Sequence, residues 1–269
     1  MLRSLLVLAA VLFAVLSSQA QVVDDYNPPR ANCCLAGTAK SLSDQLLDWN
    51  QLGRFHAADL ALEQQPADAH RVVFMGDSIT DFWALDQSFP GKPYVNRGIS
   101  GQTTPQMLVR MYPDAIDLKP AAIIILAGTN DIGQNTGPET TTMIEENLMA
   151  MTDLAQKHGI KVILCSVTPI SDYTVIPPAR GAPPAAPGAE PAHRIQSTGR
   201  PPADILRINT WMKQYATSVG AIYCDYYSAV VDASGFFKDG LSNDGLHPNP
   251  QGYALMAPVA EAAIEKALQ

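Results

Sequence analysis

A serine hydroxyl becomes a useful nucleophile only beside a base, and two distant stretches of this sequence could supply the pair. The first is Val72-Val73-Phe74-Met75-Gly76-Asp77-Ser78-Ile79-Thr80, an apolar run that breaks at Gly-Asp-Ser and continues into Asp81-Phe82-Trp83. Functional groups of open α/β sheets gather just beyond the carboxyl ends of strands, where Ser78 would stand. The same turn also makes a sound helix cap, with Asp77 or Ser78 as the capping side chain. The second stretch is Ser242-Asn243-Asp244-Gly245-Leu246-His247-Pro248-Asn249. Asp244 and His247, three apart around a glycine, can set a carboxylate against one imidazole nitrogen. The other nitrogen is then free to accept a serine proton, and an ordinary imidazole pKa near ~6.5 suits that exchange. A capped turn with a surface histidine has the same spacing.

Two further stretches could stabilise a developing negative charge. Asn96-Arg97-Gly98-Ile99-Ser100-Gly101-Gln102-Thr103-Thr104 has two glycines after a strand, which permit outward-pointing backbone N–H groups; a plain strand-to-helix turn reads the same way. Ala127-Gly128-Thr129-Asn130-Asp131 follows the most apolar strand, so Asn130 could aim its amide into a cleft or satisfy its own turn. Ser100 is a poor rival nucleophile, because Gly98-Ile99-Ser100-Gly101-Gln102 misses the last glycine of a nucleophile elbow. His56, His70, His158 and His193 lie apart from these stretches. No His/Cys cluster has metal-ligand spacing, and no dinucleotide or phosphate-loop fingerprint occurs, so neither a metal nor a cofactor is expected.

Each signal is ambiguous alone, yet all four fall at strand ends. Gly76-Asp77-Ser78, Gly101, Asn130 and Asp244-Gly245-Leu246-His247 together resemble the four sequence blocks of the SGNH, or GDSL, hydrolase superfamily, in order and spacing. The likeness runs from about Arg71 to Gln269. It implies Ser78 as nucleophile, His247 as general base and then acid, and Asp244 as its orienting carboxylate. It also implies an oxyanion hole of the Ser78 and Gly101 N–H groups and the Asn130 side chain. Trp83 and Tyr94 are the expected substrate-lining residues, although buried aromatics of this kind more often serve as core. The block Gly76-Asp77-Ser78-Ile79-Thr80 also resembles the lysophospholipase and platelet-activating-factor acetylhydrolase-like branch.

These residues need a frame that brings them together. From Arg71 onward, apolar runs alternate with amphipathic segments of helical length, the pattern of a parallel sheet with crossover helices. Strands are expected at Arg71–Met75, Tyr94–Arg97, Ala121–Leu126, Lys161–Ser166 and Ala221–Asp225. Helices are expected near Pro105–Leu118, Glu139–His158, Ala203–Val219 and Gln251–Leu268, with Pro105 and Pro138 in first turns and Gly159 as a left-handed cap. The fold class is α/β: a three-layer α/β/α sandwich around a five-stranded parallel sheet, flavodoxin-like, as in SGNH hydrolases.

The expected organisation is a signal peptide over 1–20, a helical arm over 21–69 that packs on the main domain, and a hydrolase domain over 70–269. Met1-Leu2-Arg3, an apolar run to Leu16 and Ser17-Ser18-Gln19-Ala20 read as an export signal; the run is shorter than the ~20 residues a bilayer requires. Residues 177–202 hold eight prolines and almost nothing large and apolar, so they read as an exposed insertion, either inert or a flap over the site mouth. Cys165 and Cys224 end apolar runs and read as buried strand thiols, while Cys33-Cys34 could be bridged or free.

Without residues 1–20 the chain carries 17 basic and 26 acidic residues, a formal charge of −9. That sign disfavours nucleic acid and anionic lipid faces as partners. The expected activity is hydrolysis of carboxylic esters through an acyl-enzyme, on a small-molecule or glycan ester, with short acyl or acetyl groups of carbohydrates favoured. The alternatives are a lysophospholipase-like esterase on longer chains and an acyltransferase to a hydroxyl acceptor; a non-enzymatic binding protein fits poorly. Export implies a periplasmic or extracellular location without stable membrane insertion, and the sequence leaves the oligomeric state open.

Overall fold

The computed structural model describes residues 34–66, 68–177 and 190–269. The expected signal peptide, Cys33 and the middle of the proline-rich insertion lie outside them. The chain divides into two units, the second beginning at Asp48. The first contributes helix α1 (Cys34–Leu47). In the second, α2 (His56–Glu63) is tied to the sheet through Asp59, whose buried carboxylate receives the Arg97 guanidinium at 2.5 and 2.8 Å.

The sheet has five parallel strands in the order β2-β1-β3-β4-β5. They are β1 (Val72–Gly76), β2 (Tyr94–Gly98), β3 (Ala122–Leu126), β4 (Lys161–Cys165) and β5 (Ile222–Cys224). Every residue of β1 and β3 is buried, which explains their unbroken apolar runs. Alternate side chains feed two cores. Val73, Met75, Ile123 and Ile125 meet one helical layer, while Val72, Phe74, Ile124 and Leu126 meet the other. Cys165 and Cys224 are register neighbours on β4 and β5, free and buried.

Short helices follow the strand ends: α3 (Ser78–Asp81), α4 (Leu85–Ser88), α5 (Thr104–Val109) and α6 (Thr129–Ile132). The first layer's long helices are α7 (Thr141–Lys157) and α8 (Pro202–Ser218); α9 (Tyr226–Val230) and α10 (Pro250–Leu268) cover the opposite face. Pro105 occupies the first turn of α5, with Thr103 and Gln106 forming a capping box. This helix ends at Val109, and a π-helical turn over Tyr112–Ile116 completes the segment read as one helix. Pro138 does not open α7. The hydroxyl of Thr140 accepts from the Met143 N–H at 3.2 Å and starts the helix two residues later.

Gly98 shows how tightly α3 lies on the sheet. A Cβ there would collide with the Asp81 backbone, so only a glycine lets the turn bearing Ser78 sit against β2. Gly98→Ala is therefore expected to cost about 1–3 kcal/mol through overpacking. Urea denaturation would measure it, and an unchanged midpoint would mean that α3 moves freely.

Candidate active site

The carboxyl ends of β1, β2 and β3 deliver three of the four sequence blocks, and the loop before α10 delivers the fourth. Asp77 caps α3 by accepting from the Ile79 N–H at 2.9 Å, which leaves the next side chain, Ser78, at the first helical position. The Ser78 Oγ lies 2.8 Å from His247 Nε2, and His247 Nδ1 lies 2.7 Å from Asp244 Oδ2. An ionised Asp244 can only accept, so the imidazole proton belongs on Nδ1 and Nε2 is left to accept the serine proton.

The acid–histidine pair is made locally. One oxygen of Asp244 accepts the Leu246 and His247 N–H groups at 2.9 and 2.8 Å, and the other faces the ring. Gly245 adopts φ +81°, and a Cβ there would strike the Ser171 carbonyl. Burial alone would raise the Asp244 pKa. The His247 N–H, its ring and the Leu246 N–H outweigh burial and hold the carboxyl down at about 2, so it stays charged opposite the imidazole.

The turn at Gly101 (φ +83°) is pinned from several sides. Ile99 N–H donates to the Gly76 carbonyl at 3.0 Å, and Ser100 Oγ donates to Asp81 at 2.6 Å. Ser100 is thus occupied away from the histidine. Gln102 donates to the Asn50 carbonyl and accepts from Arg110. The fully buried Arg110 also bonds the Gly76 and Arg97 carbonyls and Asp114, joining β1, β2 and α5 behind the turn. Among the described residues the Gly101 N–H has no acceptor. Asn130, buried, donates through Nδ2 to the Gln102 carbonyl at 3.0 Å, which leaves its second amide proton without an acceptor among these residues.

The two expected lining aromatics part company. Trp83 is buried among Phe74, Phe89, Tyr226 and Tyr253, and contributes to a cavity of about 640 Å³ whose lining includes Phe82 and Pro248 but neither Ser78 nor His247. Tyr94 stands at the amino end of β2, four residues from Gly98, with its ring against Phe74 and Phe89. At ~3.3 Å per residue that is the far end of the sheet, and Tyr94 is not brought to the site. The aromatic the sequence reading passed over is Phe82. Its exposed ring lies 5.1 Å from the His247 ring and lines the same cavity with Gln87, Asn243 and Pro248. Arg200 was also missed. It stands in a proline-rich stretch with no periodicity to mark it, yet its Nη2 reaches Asn130 Oδ1 at 3.2 Å. The remaining histidines stay apart, and no group of three potential metal ligands occurs among the described residues.

This fold and these four blocks, three at strand ends and the fourth in the loop before α10 instead of at the strand end expected for it, define an SGNH-type α/β hydrolase architecture. The GDSL-like lipase/acylhydrolase family matches residues 74–255, more than half of the chain, and the chain belongs to that family. The crystal structure of a GDSL-like lipase from Bacteroides thetaiotaomicron is 33% identical with a TM-score of 0.69, covering 81% of this chain and 98% of that one. An acetylxylan esterase from Geobacillus stearothermophilus shares the fold at 19% identity and TM-score 0.54, covering 75% and 96% of the two chains. Among curated proteins, an acetylxylan esterase of Xylanibacter ruminicola is 28% identical, with 85% of this chain matched to 49% of that protein. The chain spans between 32% and 59% of the length of the curated relatives it matches.

Buried carboxyls surround the site. Burial pushes Asp77 up to about 7, although the Ile79 N–H pulls against it. Burial also raises Asp131, despite bonds from the Thr104 hydroxyl and N–H, and raises Glu139 to about 7 with the Asp131 carboxyl beside it. Asp131 Oδ2 and Glu139 Oε2 are enclosed without another donor, so one proton shared between them satisfies both. Unfolded, Glu139 titrates near 4.5. Between that value and about 7 the folded chain keeps a proton that the unfolded chain has released, so stability falls as pH rises through this window. Glu139→Gln is expected to flatten that decline. Denaturation midpoints at a series of pH values would test it, and parallel wild-type and variant profiles would show that the pair holds no extra proton.

Proposed function

We propose that this protein is a serine ester hydrolase that acts through an acyl-enzyme, with Ser78, His247 and Asp244 as its catalytic residues. The observation that carries this reading is the unbroken hydrogen-bond chain from the Ser78 hydroxyl through both imidazole nitrogens to a carboxylate held ionised. His247 Nε2 takes the Ser78 proton as Oγ attacks the ester carbonyl, and Asp244 stabilises the resulting imidazolium. The tetrahedral oxyanion is received by the Ser78 and Gly101 N–H groups and the Asn130 amide. Collapse sends the proton from His247 to the departing alkoxide oxygen and leaves an acyl-Ser78 ester. Water, deprotonated by His247, then attacks that ester and releases the acid.

The substrate class proposed is a short-chain, chiefly acetyl, ester of a carbohydrate. His247 protonates the leaving group, so the alcohol side of the ester belongs next to it, where the exposed Phe82 ring and the side chains of Gln87 and Asn243 line the cavity. A ring face beside amide groups suits a sugar better than a long alkyl chain. The acetylxylan esterase relative supports the same class. Export to a periplasmic or extracellular setting, where such glycans occur, is part of this proposal.

Ser78→Ala should abolish turnover of p-nitrophenyl acetate and acetylated xylo-oligosaccharides alike, and Asn130→Ala should lower kcat by ~10²–10³. Phe82→Ala should raise KM for the oligosaccharide and leave that for the nitrophenyl ester nearly unchanged. Residual turnover in the Ser78 variant would refute the mechanism. A preference for long-chain nitrophenyl or lysophospholipid esters would refute the substrate class.

A further inference from the structure

Asn130 has a flat amide whose two ends are nearly the same shape, so a hole that needs its nitrogen must prevent it from turning over. The two ends are sorted here by partners of opposite chemistry. The Gln102 carbonyl can only accept and lies 3.0 Å from Nδ2. The Arg200 guanidinium can only donate and lies 3.2 Å from Oδ1. A reversed amide would set oxygen against oxygen at one end and N–H against N–H at the other.

Arg200 is itself well held. Its Nε donates to the Thr129 carbonyl at 3.0 Å, the residue before Asn130, so a single planar group grips both the backbone and the side chain of this turn. Its guanidinium rests on Gly133, where a Cβ would lie 2.6 Å from Nη2 and 2.7 Å from Cζ. The chain leading into it is anchored by Asp172, whose carboxylate accepts the Gln196 and Ser197 N–H groups and the Ser197 hydroxyl at 2.5–3.0 Å. From the same segment, Gln196 Nε2 donates to the Asp244 carbonyl oxygen at 3.0 Å.

We propose that Arg200 is a positioning residue for oxyanion stabilisation: it locks the Asn130 amide with its nitrogen towards the cleft and, by donating from a cation to Oδ1, polarises that amide into a stronger N–H donor. The inference rests on the reading of Asn130 as an oxyanion-hole donor. It assigns a role in the reaction to the segment that closes the proline-rich insertion. A charge-assisted bond at one end of an amide strengthens donation at the other, the cooperative effect expected in a chain of hydrogen bonds.

The test is a double-mutant cycle on p-nitrophenyl acetate with Arg200→Met, Arg200→Lys, Asn130→Ala and the Met/Ala pair, following kcat, KM and Tm. Arg200→Met should lower kcat by ~10- to 100-fold, less than the loss of the donor itself, with KM little changed. Arg200→Lys should recover part of that loss. In the Asn130→Ala background Arg200→Met should cost no further kcat, although its effect on Tm should persist. Should Arg200→Met fold poorly, rescue of Arg200→Ala by guanidinium ion at millimolar concentration supplies the same readout, and failure of rescue counts against the proposal. A normal kcat in Arg200→Met beside a depressed one in Asn130→Ala would overturn the positioning role alone. Losses that multiply in the double variant would do the same. A normal kcat in Asn130→Ala would remove the hole assignment and this proposal with it, while leaving the Ser78 result untouched.

Discussion

The imidazole of His247 has to satisfy two partners at opposite edges of one small ring, and most of the structure serves that requirement. One partner is three residues away and is delivered by a local turn. The other is 169 residues away and arrives only if the sheet is assembled in register. The tolerance is a few tenths of an ångström, because a hydrogen bond weakens steeply with distance and angle. The turn is therefore rigid: Asp244 accepts two backbone N–H groups with one oxygen while facing the ring with the other. The Ser78 end is equally stiff, since α3 lies so close to β2 that only a glycine fits beneath it.

Environment separates the carboxyls around the site into two kinds. Asp244, partly exposed and supplied with donors, remains ionised and can stabilise an imidazolium. Asp77 and Asp131 are buried and shifted towards the neutral form, so their burial does not fill the region with competing negative charge. Chemically identical side chains thus serve different ends, one electrostatic and the others as caps and ties. Arg110 belongs to the second group despite its charge. It is enclosed completely and spends its donors on two carbonyls, Asp114 and Gln102, which fastens the Gly101 turn to the sheet behind it.

The insertion changes the architecture in a way its composition conceals. Its middle is rich in proline, but the residues that close it return to the site, where Gln196 meets the acid turn and Arg200 meets Asn130. The histidine loop and the Asn130 turn are thereby braced by one short segment. Phe82 packs its ring 5.1 Å from that of His247 and joins Asn243 and Pro248 in lining the adjoining cavity.

The elements whose determinants are local could be read from the chain alone. Gly76-Asp77-Ser78 after an apolar run, the Asp244–His247 turn around Gly245, the buried strands and the Pro105 first turn all depend on neighbours within a few residues. The five-strand parallel sheet followed from their alternation with helical segments. Matters that depend on which distant surfaces meet were decided by the tertiary structure. Tyr94 looked like a site aromatic until β2 carried it to the far end of the sheet. Phe82 and Arg200 carry no periodic or motif signal, because their partners are His247 and Asn130, contributed by other parts of the chain. Hydrogen-bond and hydrophobic patterns along a sequence report secondary structure, whereas the facing of one side chain on another depends on strand order and packing that no local window contains.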